Sequence, residues 1–194
     1  MTTDRRRVVV IGVGNELRGD DAAGLEVVRR LRRDGGGAEV ELHESGGMSL
    51  LELWEGAAAA VLVDATRSGA PLGTIRRFDV GATGLPATVG LASSHAVSVA
   101  EAIELARVLG RLPGRVTVFG IEGGRFDLGA GLSDGVKSAV DEMVRRVHGE
   151  VAAEFHRRAA EERPDGGGPG WWCSEGKPSP SQGAGHVDRP IKHV

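Results

Sequence analysis

The chain alternates short continuous apolar runs with longer stretches in which apolar residues recur at three- and four-residue steps. Val8-Val9-Val10-Ile11 ends at Gly12 and reads as a strand buried on both faces, since no polar residue interrupts it. A helix is predicted next, with Asp20 or Asp21 at its N-cap, Leu25, Val28 and Leu31 on one face, and a stop at Gly35-Gly36-Gly37. Val40 to His43 reads as a second strand, Met48 to Trp54 as a helix, and Ala60-Val61-Leu62-Val63 as a third strand ending at Asp64. Thr74 to Val80 alternates, which predicts an extra strand at an edge. A helix from about His95 to Leu109, capped by Ser93 or Ser94, puts Val99, Ala102, Ile103 and Ala106 on one stripe. Val116 to Ile121 is another apolar strand, and Val136, Val140, Met143, Val144 and Val147 mark a last helix after a Ser133 cap. The order β-α-β-α-β-β-α-β-α predicts an α/β fold, a three-layer α/β/α sandwich around a mostly parallel central sheet.

The periodic pattern stops after about Arg157. From Arg163 to Val194, 12 of 32 residues are Gly or Pro and no apolar period survives, so burial there does not offset the entropy of ordering. The expected organisation is one folded domain over residues 1–157 and a Gly/Pro-rich disordered tail over 158–194, with Trp171-Trp172 its only apolar grip.

With 194 residues, a formal net charge of -3 and 26% charged residues, the chain lacks the clustered Lys/Arg surplus that nucleic-acid binding needs. One cysteine, Cys173, excludes an internal disulfide or a cysteine-cluster metal site and fits a reducing compartment. The apolar run after Arg5-Arg6-Arg7 is cut short by Asn15, Glu16 and Arg18, too early for a signal or a membrane span. A cytoplasmic protein without membrane partners is the expectation.

In open α/β sheets ligands sit beyond the carboxyl ends of the strands. That rim receives the loop Gly12-Val13-Gly14-Asn15, the carboxylate Asp64 and the segment Ser93-Ser94-His95. The glycine loop is not a dinucleotide fingerprint, because Leu17 stands where a third glycine is needed and Asp20-Asp21 would repel a pyrophosphate. Asp20 and Asp21 at a helix start have a plain capping role available. Asp64 follows Val-Leu-Val and cannot stay buried and ionised alone, so it either caps a turn or points into a cleft. His95 is a cap residue, a surface imidazole or a ligand. A Ser-His-Asp triad through Ser93 or Ser94 is disfavoured, since no Gly-x-Ser-x-Gly elbow occurs. Taken together, Asp21, Asp64 and His95 form a set of two carboxylates and one imidazole that suits Zn, Ni, Mn or Fe and points to metal-assisted hydrolysis.

The stretch Val10-Ile11-Gly12-Val13-Gly14-Asn15-Glu16-Leu17-Arg18-Gly19-Asp20-Asp21-Ala22-Ala23-Gly24 resembles the opening motif of the hydrogenase maturation proteases, endopeptidases that trim the large subunit of nickel–iron hydrogenases. Val63-Asp64-Ala65, Ser94-His95, and Gly120-Ile121-Glu122-Gly123 leading to Gly129-Ala130-Gly131-Leu132-Ser133 continue the resemblance in order, over roughly residues 7 to 148. It implies an α/β/α fold and removal of a C-terminal extension from a nickel-loaded large-subunit precursor. By position Asp21, Asp64 and His95 would contact that nickel and carry the cleavage, with Asp20 supporting them and Gly12, Gly14 and Asn15 shaping the loop. The enzyme, classed by this resemblance as an aspartic-type, metal-recognising peptidase, then needs no permanent cofactor, because the precursor brings the metal.

Two departures from the family pattern matter. Many members carry Glu at the position of Asp21, so the loop here must approach closer by about 1.5 Å, one carbon–carbon bond. An Asp-Gly-Gly-Thr loop often found after the second strand reads Glu44-Ser45-Gly46-Gly47-Met48 here. The same three residues would also serve a nickel-sensing docking protein that does not cut, or a general metallo-aminopeptidase or amidase that holds its own ion.

Overall fold

The computed structural model describes residues 7–35, 40–45, 49–81, 84–85 and 98–161. Its strands are β1 (Val8–Val13), β2 (Val40–Ser45), β3 (Ala59–Thr66), β4 (Ile75–Asp79) and β5 (Arg115–Glu122), and its helices are α1 (Ala23–Arg33), α2 (Leu50–Leu53), α3 (Val99–Val108) and α4 (Asp134–Glu161). The strands form one sheet in the order β2-β1-β3-β5-β4. The first four of these neighbours run parallel, and β4 joins β5 antiparallel at the edge. The three-layer α/β sandwich read from the apolar pattern is therefore the observed fold.

Strand alternation explains why the central runs are apolar without a break. Val8, Val10, Val61, Val63, Phe119 and Ile121 face one core with Val28 of α1 and Met143 of α4. Their neighbours Val9, Ile11, Ala60, Leu62 and Val118 face the other, with Trp54 and Ile103. The edge strand β4 is where the sequence places an extra strand, but its burial does not alternate: half-buried Ile75 and Phe78, three residues apart, pack on opposite cores, with exposed Arg76 and Arg77 between them.

Several boundaries differ from the sequence reading, each for a local reason. Neither Asp20 nor Asp21 caps α1: a 3-10 turn, Gly19–Ala22, intervenes, and the N-cap of α1 is Ala22 with no side-chain cap bond. β3 does not end at Asp64, because β5 keeps pairing it through Ala65↔Ile121 and Thr66↔Glu122. α2 is shorter than the Met48 to Trp54 helix expected. α3 is capped not by Ser93 or Ser94 but by Ser98, in a capping box: the Glu101 amide donates to Ser98 Oγ and the Ser98 amide donates to Glu101 Oε2. α4 runs past the expected boundary at Arg157 to Glu161, held by Arg157–Glu154 and Arg115–Glu161 ion pairs. The tail expected from residue 158 otherwise lies, with Trp171-Trp172 and Cys173, outside the described residues. Among the described residues no helix is long and apolar enough to cross a membrane.

Candidate active site

From β1 the chain moves outward to β2, whereas from β3 it leaves toward β4 and β5 on the opposite side. The carboxyl ends of β1 and β3 therefore flank the topological switch point, where open α/β sheets form a crevice. Asp21 follows β1, and Asp64 stands near the end of β3.

Glycines bring the two acids together. A Cβ on Gly12 would collide with the Gly24 carbonyl and stand 2.9 Å from Val28 Cγ2, so α1 packs directly on β1. A Cβ on Gly24 would in turn collide with the Val63 carbonyl and stand 2.9 Å from the Val13 amide nitrogen. Gly24, not Leu17, is thus the third close-packing glycine. Gly14 has φ +148°, and any Cβ there would overlap the Asp21 carbonyl. The loop after β1 thus runs directly against the backbone of Asp21 at this glycine. Asn15 steadies the loop: its Oδ1 accepts from the Leu17 amide at 3.0 Å.

Asp64 is 1% exposed and Asp21 is 1% exposed. Oδ1 of Asp64 accepts from the Ala65 amide at 2.8 Å, while Oδ2 is buried with no hydrogen-bond partner. Burial pushes the Asp64 carboxyl up to about 8, the nearby Asp21 charge adds to the rise, and the Ala65 amide opposes it. Arg18 Nη1 stands 3.7 Å from Asp21 Oδ2. A desolvated pair of acids, one of them with an unpartnered oxygen, suits a cation, which would supply the counter-charge that Asp64 lacks.

Two further buried acids hold the walls. Asp20 accepts from the Gly124 and Arg125 amides at 2.9 Å and from the Ser133 amide at 2.6 Å, tying the β5–α4 loop to the turn that carries Asp21. Burial alone would raise its carboxyl, but the Ser133, Gly124 and Arg125 amides outweigh it and the net shift is downward. Glu122 accepts from Thr66 Oγ1, the Ser68 amide and hydroxyl, and the Gly69 amide, all between 2.7 and 2.8 Å, and so pins the β3–β4 connection. Burial again opposes, and these donors draw its carboxyl below the usual range. The sequence reading gave Glu122 no role of its own; the signals were its place just after the apolar run Val116 to Ile121 and in the stretch Gly120-Ile121-Glu122-Gly123 of the resemblance.

Asp21 and Asp64 thus meet, while His95, Ser93 and Ser94 lie outside the described residues, as do Gly46, Gly47 and Met48 of the loop after β2. Among the described residues no three His, Cys, Asp or Glu side chains gather as a metal-holding group.

A family model described as "HycI: Hydrogenase maturation protease" matches residues 25–150, a span that includes Asp64, His95 and Glu122. The chain belongs to the hydrogenase maturation protease family. Hydrogenase expression/formation protein HupD of Rhodobacter capsulatus is 31% identical over 156 residues, covering 76% of this chain and 72% of that protein. A putative hydrogenase maturation protease of Methanocaldococcus jannaschii is 30% identical over 157 residues, covering 76% and 97%. The hydrogenase maturating endopeptidase HybD from E. coli shares the fold with a TM-score of 0.65 at 24% identity, over 76% of this chain and 93% of that one. Membership makes the chain a peptidase of hydrogenase maturation.

Proposed function

We propose that this hydrogenase maturation protease removes the C-terminal extension of a nickel-loaded large-subunit precursor in the cytoplasm, and that Asp21, Asp64 and His95 contact the nickel that the precursor brings. The observation that carries the assignment is the buried, unpartnered Oδ2 of Asp64 beside Asp21 at the switch point of the sheet. No permanent cofactor is then required. The precursor's nickel contributes positive charge at the crevice.

The chain's own residues account for the rest. Without a cation Asp64 keeps its proton at neutral pH, because burial and the Asp21 charge both disfavour the anion. Engagement of a cation releases that proton, so recognition of a loaded precursor is coupled to ionisation of Asp64 and strengthens as pH rises. Hydrolysis of the peptide bond needs an acceptor for the proton of the attacking water, and the two carboxylates at the crevice offer one. This acid pair is the basis for an aspartic-type classification. An empty precursor presents nothing to draw the proton from Asp64, which makes metal insertion a checkpoint.

The purified protein is mixed with nickel-loaded and nickel-free precursor, and the large subunit is weighed by mass spectrometry. Loss of the C-terminal peptide from the loaded form alone supports the proposal. Binding without loss of the peptide favours a docking protein, and turnover of short unrelated peptides favours a general metallopeptidase.

A further inference from the structure

The loop after β1 and the loop after β5 lie side by side at the carboxyl rim. The Gly129 amide donates to the Leu17 carbonyl at 2.8 Å, the Gly19 amide to the Ala130 carbonyl at 3.1 Å, and the Asp20 amide to the Arg125 carbonyl at 2.7 Å. This joined strip exposes large apolar side chains: Leu17 is 62% and Leu128 78% exposed. Leu72, 54% exposed, lies against it, since its Cδ2 stands 2.6 Å from where a Cβ on Gly124 would be. Gly124 donates to Asp20, so the strip is rigidly tied to the turn bearing Asp21.

The same rim carries cationic charge with no ion-pair partner among the described residues. Among the described residues neither Arg67 nor Arg125 stands within ion-pair distance of a carboxylate. Arg67 lies over the Phe126 ring at 5.8 Å from its centroid, a contact that orders the guanidinium without consuming its hydrogen-bond donors. Asp127 is the acid on this loop, and Arg18 is already turned toward Asp21. In a chain of net charge -3, two arginines with no ion pair among the described residues, beside exposed leucines and next to the crevice, form a local exception.

We propose that Leu17, Leu72 and Leu128, with Arg67 and Arg125, form the docking surface for the extension peptide itself: an extended segment with an apolar side chain and a nearby carboxylate. This rests on the protease reading above and adds how the substrate's removable end is chosen. Leucines bury the apolar side chain, and the arginines pair with the carboxylate and draw the acidic segment toward the crevice.

The test uses the full chain, the nickel-loaded precursor encoded by the same organism, and a fluorescein-labelled synthetic peptide of that precursor's extension. Leu17→Ser with Leu128→Ser, and separately Arg67→Glu with Arg125→Glu, should each weaken peptide binding by about tenfold and raise KM for the precursor by a similar factor, with a far smaller change in kcat. Replacing the extension's acidic residues by lysine should restore binding to the arginine variant. Failure of the wild-type chain to bind the peptide, unchanged binding in both variants, or a fall in kcat at constant KM overturns the docking surface. Binding that follows this pattern without cleavage of the precursor leaves the docking surface standing and overturns the protease reading instead.

Discussion

Asp64 keeps its proton up to about pH 8 because it is buried beside Asp21. Its raised carboxyl sets the direction of the pH dependence. Its contribution to stability is complete below the ordinary aspartate value of 3.8 and is lost as pH rises toward 8, since the unfolded chain releases the proton first. The metal-free protein should therefore lose thermal stability between about pH 4 and pH 8 through this group. In Asp64→Asn a neutral amide takes the place of a carboxyl that is itself uncharged up to about pH 8, so the charge cost of burial beside Asp21 is removed. That variant should melt at or above the wild-type temperature at pH 8 and cleave no precursor. Calorimetry across pH, together with the precursor assay, checks both; a marked loss of stability at pH 8 would contradict the arrangement.

Asp20 behaves in the opposite sense. Its carboxyl is lowered, so its contribution is present at neutral pH and lost as pH falls through its folded value, below 3.8. Asp20→Ala strands three amides, those of Gly124, Arg125 and Ser133, and should cost about 3 kcal/mol or more. In a domain of this size that lowers Tm by roughly 6–12 °C. Cleavage should fall as well, because the turn bearing Asp21 loses its tie to the opposite loop.

Glu122 makes a more local prediction. Glu122→Ala removes the acceptor for the Ser68 and Gly69 amides and the Thr66 hydroxyl, and should destabilise by about 2–4 kcal/mol. Hydrogen exchange should speed most at Ser68 and Gly69, while amides of β1 keep wild-type protection relative to global unfolding. Uniform acceleration across the sheet would rule out a local anchor.

Gly24→Ala tests the packing that brings the acids together. The added methyl meets the Val63 carbonyl and the backbone of Val13, neither of which can rotate away, so α1 must lift from the sheet. The expected cost is about 2–3 kcal/mol, with a loss of cleavage larger than a thermal melt alone would explain. Gly35→Ala, where a Cβ has open space but φ is +82°, should affect stability and leave cleavage nearly unchanged.

The layer order and the sheet class were legible in the chain, because the apolar period is a local signal. The parity of Val8 to Ile11 and of Ala60 to Val63 already assigns residues to two cores, and an acid after Val63 already demands a partner. Boundaries were less legible where a neighbour decides them. β3 continues to Thr66 because β5 pairs with it there, and α3 starts at Val99 behind its Ser98 cap, where Glu101 completes a capping box.

Sequence by itself determined an α/β sandwich with two acids near one rim and a motif set resembling one peptidase family. Tertiary structure alone decided what each acid does. Asp20 and Asp21 are neighbours of the same type, yet Asp20 is spent on three amides from a loop more than a hundred residues away, while Asp21 raises the proton affinity of Asp64. The physical reason is that a carboxylate's role depends on desolvation and on which donors and charges surround it, and those arrive from β3, β5 and the loop before α4, which only folding brings together.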